Sequence, residues 1–471
     1  MMLWNTRGER SITRRLFGQG AADMTSGAIG KQLIEFSIPM AIGLLFQQLY
    51  NTVDTIVVGR FVGKAALAAV GSTSSIINML VGLCAGLAAG SSVVISQCYG
   101  AHDERKLSDA VHTTMLCTFI LSALATAAGL LIVEPMLRLM STPEDVFASA
   151  SQYLSIYFAG ISGLLVYNMS AGVLRAVGDS RRPLYFLCFS ALTNIALDLL
   201  FVLVFHWGIA GVAYATIVSQ YLSAGLALLS LTRANAAYAI RWRRLRIRRD
   251  VLLQILRIGV PSGVQQAITA FSNVFVQSYI NFFGSDCMAG WSCYNKLDIF
   301  ILIPMQSIGL ASTTFVGQNY GARQLRRARE GVRRALLMSV SVTAALAVLL
   351  IVCDRGLLRM FNSEEEVLRF GERFVTLCSP FYVLMCFNQI YAGALRGIGR
   401  ARPPMIIMLS SFVLFRQAYL LAASRLGGGF LAIALAYPIG WVLCSLLMTI
   451  AYRRSELCRP EKNAAPAGEP A

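Results

Sequence analysis

Gln97-Cys98-Tyr99-Gly100-Ala101 returns 221 positions later as Gln318-Asn319-Tyr320-Gly321-Ala322. The same offset lays Leu137-Arg138-Leu139-Met140 on Leu358-Arg359-Met360-Phe361, and Ala171-Gly172-Val173-Leu174-Arg175-Ala176-Val177-Gly178 on Ala392-Gly393-Ala394-Leu395-Arg396-Gly397-Ile398-Gly399. With one residue of slack, an offset of 222 aligns Pro39 with Pro261 and Asn51 with Asn273. Ordered matches of this kind mark one long structural unit written twice.

The unit belongs in a membrane. Of 471 residues, 56% are hydrophobic and 14% charged, against about 25% charged in a soluble domain. A helix needs about 20 apolar residues to cross about 30 Å of hydrocarbon. Such stretches recur near 33–58, 67–96, 110–134, 150–174, 184–206 and 208–232, and again near 251–283, 288–316, 335–353, 368–395, 403–424 and 429–452. The expected fold is an all-α membrane protein with twelve transmembrane helices in two pseudo-symmetric six-helix bundles. An even number of spans per half gives both copies the same orientation, a known transporter architecture. The chain divides into an N-terminal tail 1–30, a first lobe 31–232, a basic linker 233–250, a second lobe 251–452 and a polar tail 453–471.

The net charge of +17 is not spread evenly. The termini, with Lys31 counted to the first, and the connections 97–111, 175–183, 233–250, 317–334 and 396–402 hold 30 of the 41 Lys and Arg residues, while the opposite connections hold eight. By the positive-inside rule both termini face the cytoplasm, and the expected location is a plasma membrane of bacterial inner-membrane type. The linker alternates Arg241, Arg243, Arg244, Arg246, Arg248 and Arg249 with Trp242, Leu245 and Ile247. A connector lying on anionic headgroups accounts for this run, and no nucleic-acid partner is expected. Residues 1–30 carry four arginines and no apolar core of signal-peptide length, so the first span should direct insertion. Eleven cysteines without a Cys-x-x-Cys pair suggest neither a disulfide framework nor a metal cluster, and read as small apolar packing residues. Gly82, Gly86 and Gly90, four apart on one helix face, read as a close-packing stripe.

Ionisable groups inside the spans cost about 2.5–3.5 kcal/mol each on insertion scales, so each calls for a reason. Those singled out are Asp54, Asp198, Lys296, Asp298 and Arg416. Asn194 lies one turn before Asp198 and shares its helix face. At about 1.5 Å per residue, Asp198 lies about 9 Å below the outer boundary, Asp54 about 6 Å and Thr216 about 12 Å. Two carboxylates, an amide oxygen and a hydroxyl at one depth suit a hard cation. They suit a proton equally, since low dielectric and a like-charged neighbour disfavour ionisation of a carboxyl group. In the second lobe, Lys296, Asp298 and Arg416 form a candidate charge cluster, with an ion pair between Asp298 and Arg416 as the expected arrangement.

The duplicated Gln-x-Tyr-Gly-Ala and Ala-Gly-x-Leu-Arg-x-x-Gly segments, together with Asn51-Thr52-Val53-Asp54, resemble the multidrug and toxic compound extrusion (MATE) transporters over residues 30 to 452. Asn194-Ile195-Ala196-Leu197-Asp198 is similar to the DinF-like branch. The resemblance implies a cation or proton site in the first lobe at Asp54, Asn194, Asp198 and Thr216. It also implies substrate-facing positions at Gln47, Tyr50 and Asn168, and a bending point at Pro39, which otherwise is an ordinary kink. The NorM-like branch carries an acid in the seventh span where this chain has Thr269, so that branch's second-lobe coupling site is not expected here.

The function implied is antiport: two lobes rock about a central cavity, and inward H⁺ or Na⁺ drives export of cationic or amphipathic drugs or metabolites. No cofactor is expected beyond the coupling ion, and the chain is expected to work as a monomer in the bilayer. Two rival readings remain at this stage. One is a flippase for lipid-linked oligosaccharide. The other is a rhomboid-like intramembrane protease, on the strength of Gly160-Ile161-Ser162-Gly163, which would need a histidine within reach of Ser162.

Overall fold

A computed structural model describes residues 22–140 and 142–458. Every regular element in these residues is helical, and twelve long helices follow in order. They are α1 (Ile29–Val62), α2 (Lys64–Gly100), α3 (Glu104–Leu139), α4 (Glu144–Ala159 with Ile161–Ala176), α5 (Arg181–Val204) and α6 (Gly208–Thr232) in the first half. The second half holds α7 (Arg249–Asn281), α8 (Ser285–Gly321), α9 (Leu325–Val352), α10 (Glu365–Gly397), α11 (Arg402–Arg425) and α12 (Phe430–Arg453). The twelve-helix membrane fold read from hydropathy is the one observed. Ten of the helices are individually apolar and long enough to cross a bilayer, and α4 is a span bent by 46°. Helix α7 falls short because Ser262, Gln265, Gln266, Thr269, Ser272 and Asn273 dilute its apolar length.

The duplication is written into the backbone as well as the sequence. Left-handed residues recur 221 apart: Gly63 (φ 120°) with Gly284 (93°), His102 (53°) with Arg323 (59°), Gly178 (88°) with Gly399 (82°), and His206 (56°) with Gly427 (71°). His102 and Arg323 follow the two Gln-x-Tyr-Gly-Ala segments and end α2 and α8 in the same way. The amides of His102 and Asp103 turn back to Tyr99 and Cys98, and those of Arg323 and Gln324 turn back to Tyr320 and Asn319. This left-handed stop satisfies carbonyls that a helix end leaves without partners.

At the end of the molecule rich in Arg, the two motifs cross. The Gln97 amide donates to the Gly397 carbonyl (2.7 Å), and the Gln318 amide donates to the Ala176 carbonyl (2.9 Å). Those carbonyls are themselves 221 apart and close α10 and α4. Each repeat therefore lends a glutamine that caps the other repeat's fourth span. A side chain at Gly100 would place its Cβ 1.9 Å from the Gln318 carbonyl oxygen, and one at Gly321 would place it 2.0 Å from that of Gln97. Only glycine permits so close a crossing.

The stripe on α2 continues the seam. A Cβ on Gly86 would fall 2.0 Å from the Gly263 amide nitrogen, and one on Gly90 would fall 2.5 Å from that of Gly259, so the stripe is the packing surface of α2 on α7. The lobes also exchange their leading segments. Ile29, Leu33, Phe36 and Met40 of α1 are buried in the core built by the second half. Val251, Ile255 and Ile258 of α7 are buried in a core of the first. Helix α1 runs through the buried Pro39 without a break in this conformation. Connections obey the same symmetry, since the linker after α6 is pinned to α3 and the segment after α12 to α9, where Arg329 donates to the Leu457 carbonyl (2.5 Å). All eleven cysteines are free.

The seam generates the first prediction. Gly86→Ala should lower stability by about 1–3 kcal/mol, the usual cost of overpacking, whereas Gly225→Ala, which faces open space, should leave it unchanged or raise it. Thermal unfolding of the purified variants reads the difference, and equal behaviour would mean that α2 and α7 do not touch as described.

Candidate functional site

Helix α1 packs on α5, and α5 packs on α6. This sandwich brings the acids of α1 and α5 together: the carboxyl groups of Asp54 and Asp198 lie within hydrogen-bond reach of one another. Asp198 is fully buried, Asn194 is 1% exposed, and Asp54 is half-buried. No Lys or Arg forms an ion pair with either acid among the described residues. Apart from their mutual contact, Asp54 Oδ1, both oxygens of Asp198 and both polar atoms of Asn194 have no hydrogen-bond partner among the described residues. Two carboxylates are acceptors only, so a contact between them requires a shared proton or a bridging cation.

Both acid-bearing helices widen one turn beyond the acid. Val58–Val62 follows Asp54 as a π-turn, and Leu200–Val204 follows Asp198 as another. Such widened turns loosen the regular backbone pairing and recur at functional sites. Hydropathy and charge spacing carry no signal for them.

Thr216 is buried on α6, with its hydroxyl donated to the Val212 carbonyl of its own helix (3.0 Å). Its oxygen keeps lone pairs, although among the described residues no hydrogen bond joins it to the acids. The α1 residues Gln47 and Tyr50 do join the site. Tyr50 lies within hydrogen-bond reach of Gln47 and within electrostatic range of Asp54, Tyr157 and Tyr167. Asn168 is half-buried on α4, its amide donated to the Leu164 carbonyl (2.9 Å). Sequence reasoning passed over Tyr153, which lies within electrostatic range of both acids from the first half of α4, and Tyr157, which stacks on it with 6.4 Å between ring centres. Tyr157 also reaches Gln220 on α6. Their signal was available: two tyrosines four apart in an apolar helix put two polar tips on one face.

The second-lobe cluster does not form the expected ion pair. Asp298 accepts a hydrogen bond from the Tyr382 hydroxyl, which in turn pairs with the Tyr294 hydroxyl (2.6 Å). Arg416 turns the other way. It donates to Asn273 (2.8 Å) and Ser272 (3.1 Å) on α7, and its guanidinium lies 4.9 Å from the centre of the Tyr437 ring. Lys296 is exposed, with its Nζ 5.2 Å from the Phe361 ring centre. Lys296 and Asp298 are two residues apart, which puts them on opposite sides of α8. Asp298 and Arg416 each found neutral hydrogen-bonding partners on other helices.

Ser162 lies 2.5 Å from the Tyr221 hydroxyl. His112, the buried histidine, is instead bound at Nδ1 to the Ser108 carbonyl and at Nε2 by the Arg241 amide. A protease dyad has no base here.

A family model described as MatE matches residues 39–200 and 261–418, one stretch in each repeat. The chain belongs to the MATE family. Its members are membrane transporters, not enzymes. Among curated relatives, the chain is 30% identical over 399 residues to a probable multidrug resistance protein, YpnP, of Bacillus subtilis, covering 85% of this chain and 89% of that one. It is 25% identical to an FAD transporter of Shewanella oneidensis, covering 93% and 97%. A solved outward-facing multidrug resistance MATE transporter superposes with a TM-score of 0.87 at 22% identity, over 92% of this chain and 97% of that one.

The geometry of the acid pair makes a prediction about stability rather than transport. Asp198→Asn replaces a carboxyl that meets Asp54 only with a proton or cation between them by an amide that donates to Asp54 unaided, so folding at neutral pH no longer has to take up that proton. In sodium-free neutral buffer the variant should be more stable than the parent by about 1–2 kcal/mol. Thermal unfolding checks this, and a clear loss of stability would show that Asp198 has a partner it depends on.

Proposed function

We propose that this MATE transporter exports cationic or amphipathic small molecules in exchange for inward H⁺ or Na⁺. The observation that carries the reading is the meeting of Asp54 and Asp198 between α1 and α5, with no fixed cation to balance them among the described residues. A bound proton or sodium ion supplies the missing positive charge. Asp54, Asp198 and the amide oxygen of Asn194 would hold it, with Thr216 as a further oxygen on the neighbouring helix. Multidrug resistance proteins among the relatives support a multidrug substrate range.

The Arg-rich end is taken as the cytoplasmic face by the positive-inside rule. On that reading the glutamine clasps and the α2–α7 seam close the cytoplasmic side, and the described conformation is the one that releases substrate outward. Cation binding must favour one state over the other, since an ion with equal affinity for both shifts nothing. The route for this preference runs through α1. The helix carries Asp54 and Tyr50 into the site, while its leading turns lie in the second lobe's core. Filling the acid site therefore acts on a helix that both lobes hold. The acidic character of the site favours cationic cargo over the pyrophosphate head of a lipid-linked sugar.

Reconstitution tests the proposal. Vesicles holding the purified protein should expel a cationic dye under a sodium gradient or a pH gradient, each imposed alone. Asp54→Asn or Asp198→Asn, inserted at normal levels, should cut that efflux about tenfold or more, the equivalent of about 1.4 kcal/mol lost in ion affinity. Unchanged efflux in both variants would remove the acids from the mechanism. Translocation of lipid-linked oligosaccharide without dye transport would favour the flippase.

A further inference from the structure

The linker between the lobes does more than connect them. Between it and the start of α3 lies a cleft of about 910 Å³, lined by Arg105, Arg241, Arg243, Arg244 and Arg246 against two acids, Glu104 and Asp109. The cleft is held in shape by directional bonds. Asp109 takes Arg246 at 2.8 Å and Arg248 at 3.2 Å. Thr113 accepts the Arg248 amide (3.1 Å), and the Arg241 amide donates to His112 Nε2 (3.0 Å). These contacts use up Asp109. Arg105, Arg241, Arg243 and Arg244 form no ion pair among the described residues, and their side chains are exposed at the cleft.

The single turn Trp242–Arg244 sorts its residues by side. Arg243 and Arg244 line the cleft, while Trp242 turns out of it and stacks on Phe119 of α3 at 6.0 Å between ring centres and 21° between planes. Phe119 lies two turns further into the apolar length of α3 than His112, where the linker backbone is pinned. Trp242, 55% exposed, thus marks the border between hydrocarbon and headgroups, where tryptophan is enriched. The free guanidinium groups sit one residue away, on the polar side of that border.

We propose that this cleft binds the phosphate of an anionic membrane lipid through Arg105, Arg243 and Arg244, with Trp242 seated beside the lipid's acyl chains. Guanidinium groups present paired N–H donors that match phosphate oxygens. The cytoplasmic leaflet supplies anionic headgroups at that level. The proposal rests on the cytoplasmic placement of the linker, and its test reads binding rather than efflux, so failure of the antiport reading would not alter it. The cleft lies at the basic end, on the far side of the spans from the acid pair, and bound lipid would tie the linker to the start of α3.

Detergent-purified full-length protein is titrated with fluorescent short-chain phosphatidylglycerol, and binding is followed by anisotropy. Arg243→Gln with Arg244→Gln should weaken binding about tenfold or more, as loss of two basic residues near a charged headgroup implies. Arg326→Gln with Arg333→Gln, two exposed arginines on α9 that form no ion pair among the described residues, should change it less than about twofold. Trp242→Ala keeps every arginine and should weaken the lipid while leaving any affinity for soluble glycerol phosphate unchanged. Phosphatidylcholine should not compete. Equal weakening by the two arginine pairs would reduce the effect to general surface charge and overturn the site. Glycerol phosphate or inorganic phosphate binding as tightly as the lipid would overturn the lipid assignment in favour of a soluble phosphate.

Discussion

Two glutamine amides, each capping a carbonyl in the opposite repeat, hold the arrangement on which everything else depends. Helices α4 and α10 end in carbonyls that no later turn of the same helix can satisfy. Gln318 reaches the first and Gln97 the second. The bonds are possible because Gly100 and Gly321 let α2 and α8 cross at backbone contact. A residue with a Cβ at either glycine would push the helices apart and carry both amides out of range. The most visible repeat in the sequence is therefore an interlobe fastening, and the shared offset of 221 follows from its two-fold character.

The fastening also explains how two six-helix units become one transporter. Beyond the crossing, α2 runs along α7 on a glycine face, and each lobe's first helix enters the core of the other. Helix α1 is shared in the most consequential way. Its leading turns belong to the second lobe's core, and its later turns carry Asp54 against Asp198. A change at the acids thus bears on a helix that both lobes hold.

The two halves kept their backbone and parted in their chemistry. In the first lobe Asp54 and Asp198 meet each other without a cationic partner among the described residues, while the second pairs Asp298 and Arg416 with neutral groups, Tyr382 for Asp298 and Asn273 with Ser272 for Arg416. Low dielectric makes an unpaired charge costly, so the second lobe's charges are met by fixed neutral partners while the first lobe's acids are met, among the described residues, by no fixed cation. Much of the first-lobe site was legible beforehand. Asp54 and Asp198 stood out because charge in an apolar helix is rare, and Asn194 followed from helical spacing. Tyr153 and Tyr157 were missed because aromatic residues are common in spans and their tips reveal nothing until a partner is seen. The expected pair of Asp298 with Arg416 failed because depth along a helix says nothing about which way a side chain points.

Sequence alone determined the span number, the duplication, the alternation of basic connections and the acids worth watching. Each of these is a one-dimensional quantity: apolar length against bilayer thickness, residue offset, or charge along the chain. Tertiary structure alone decided what each motif touches. It sent Gln97 and Gln318 across the seam, turned Asp298 and Arg416 apart, widened α1 and α5 beyond their acids, and folded the basic linker over the start of α3 into a cleft. Those outcomes depend on azimuth around each helix and on the packing of helices distant in the chain, which no count of residues between charges can supply.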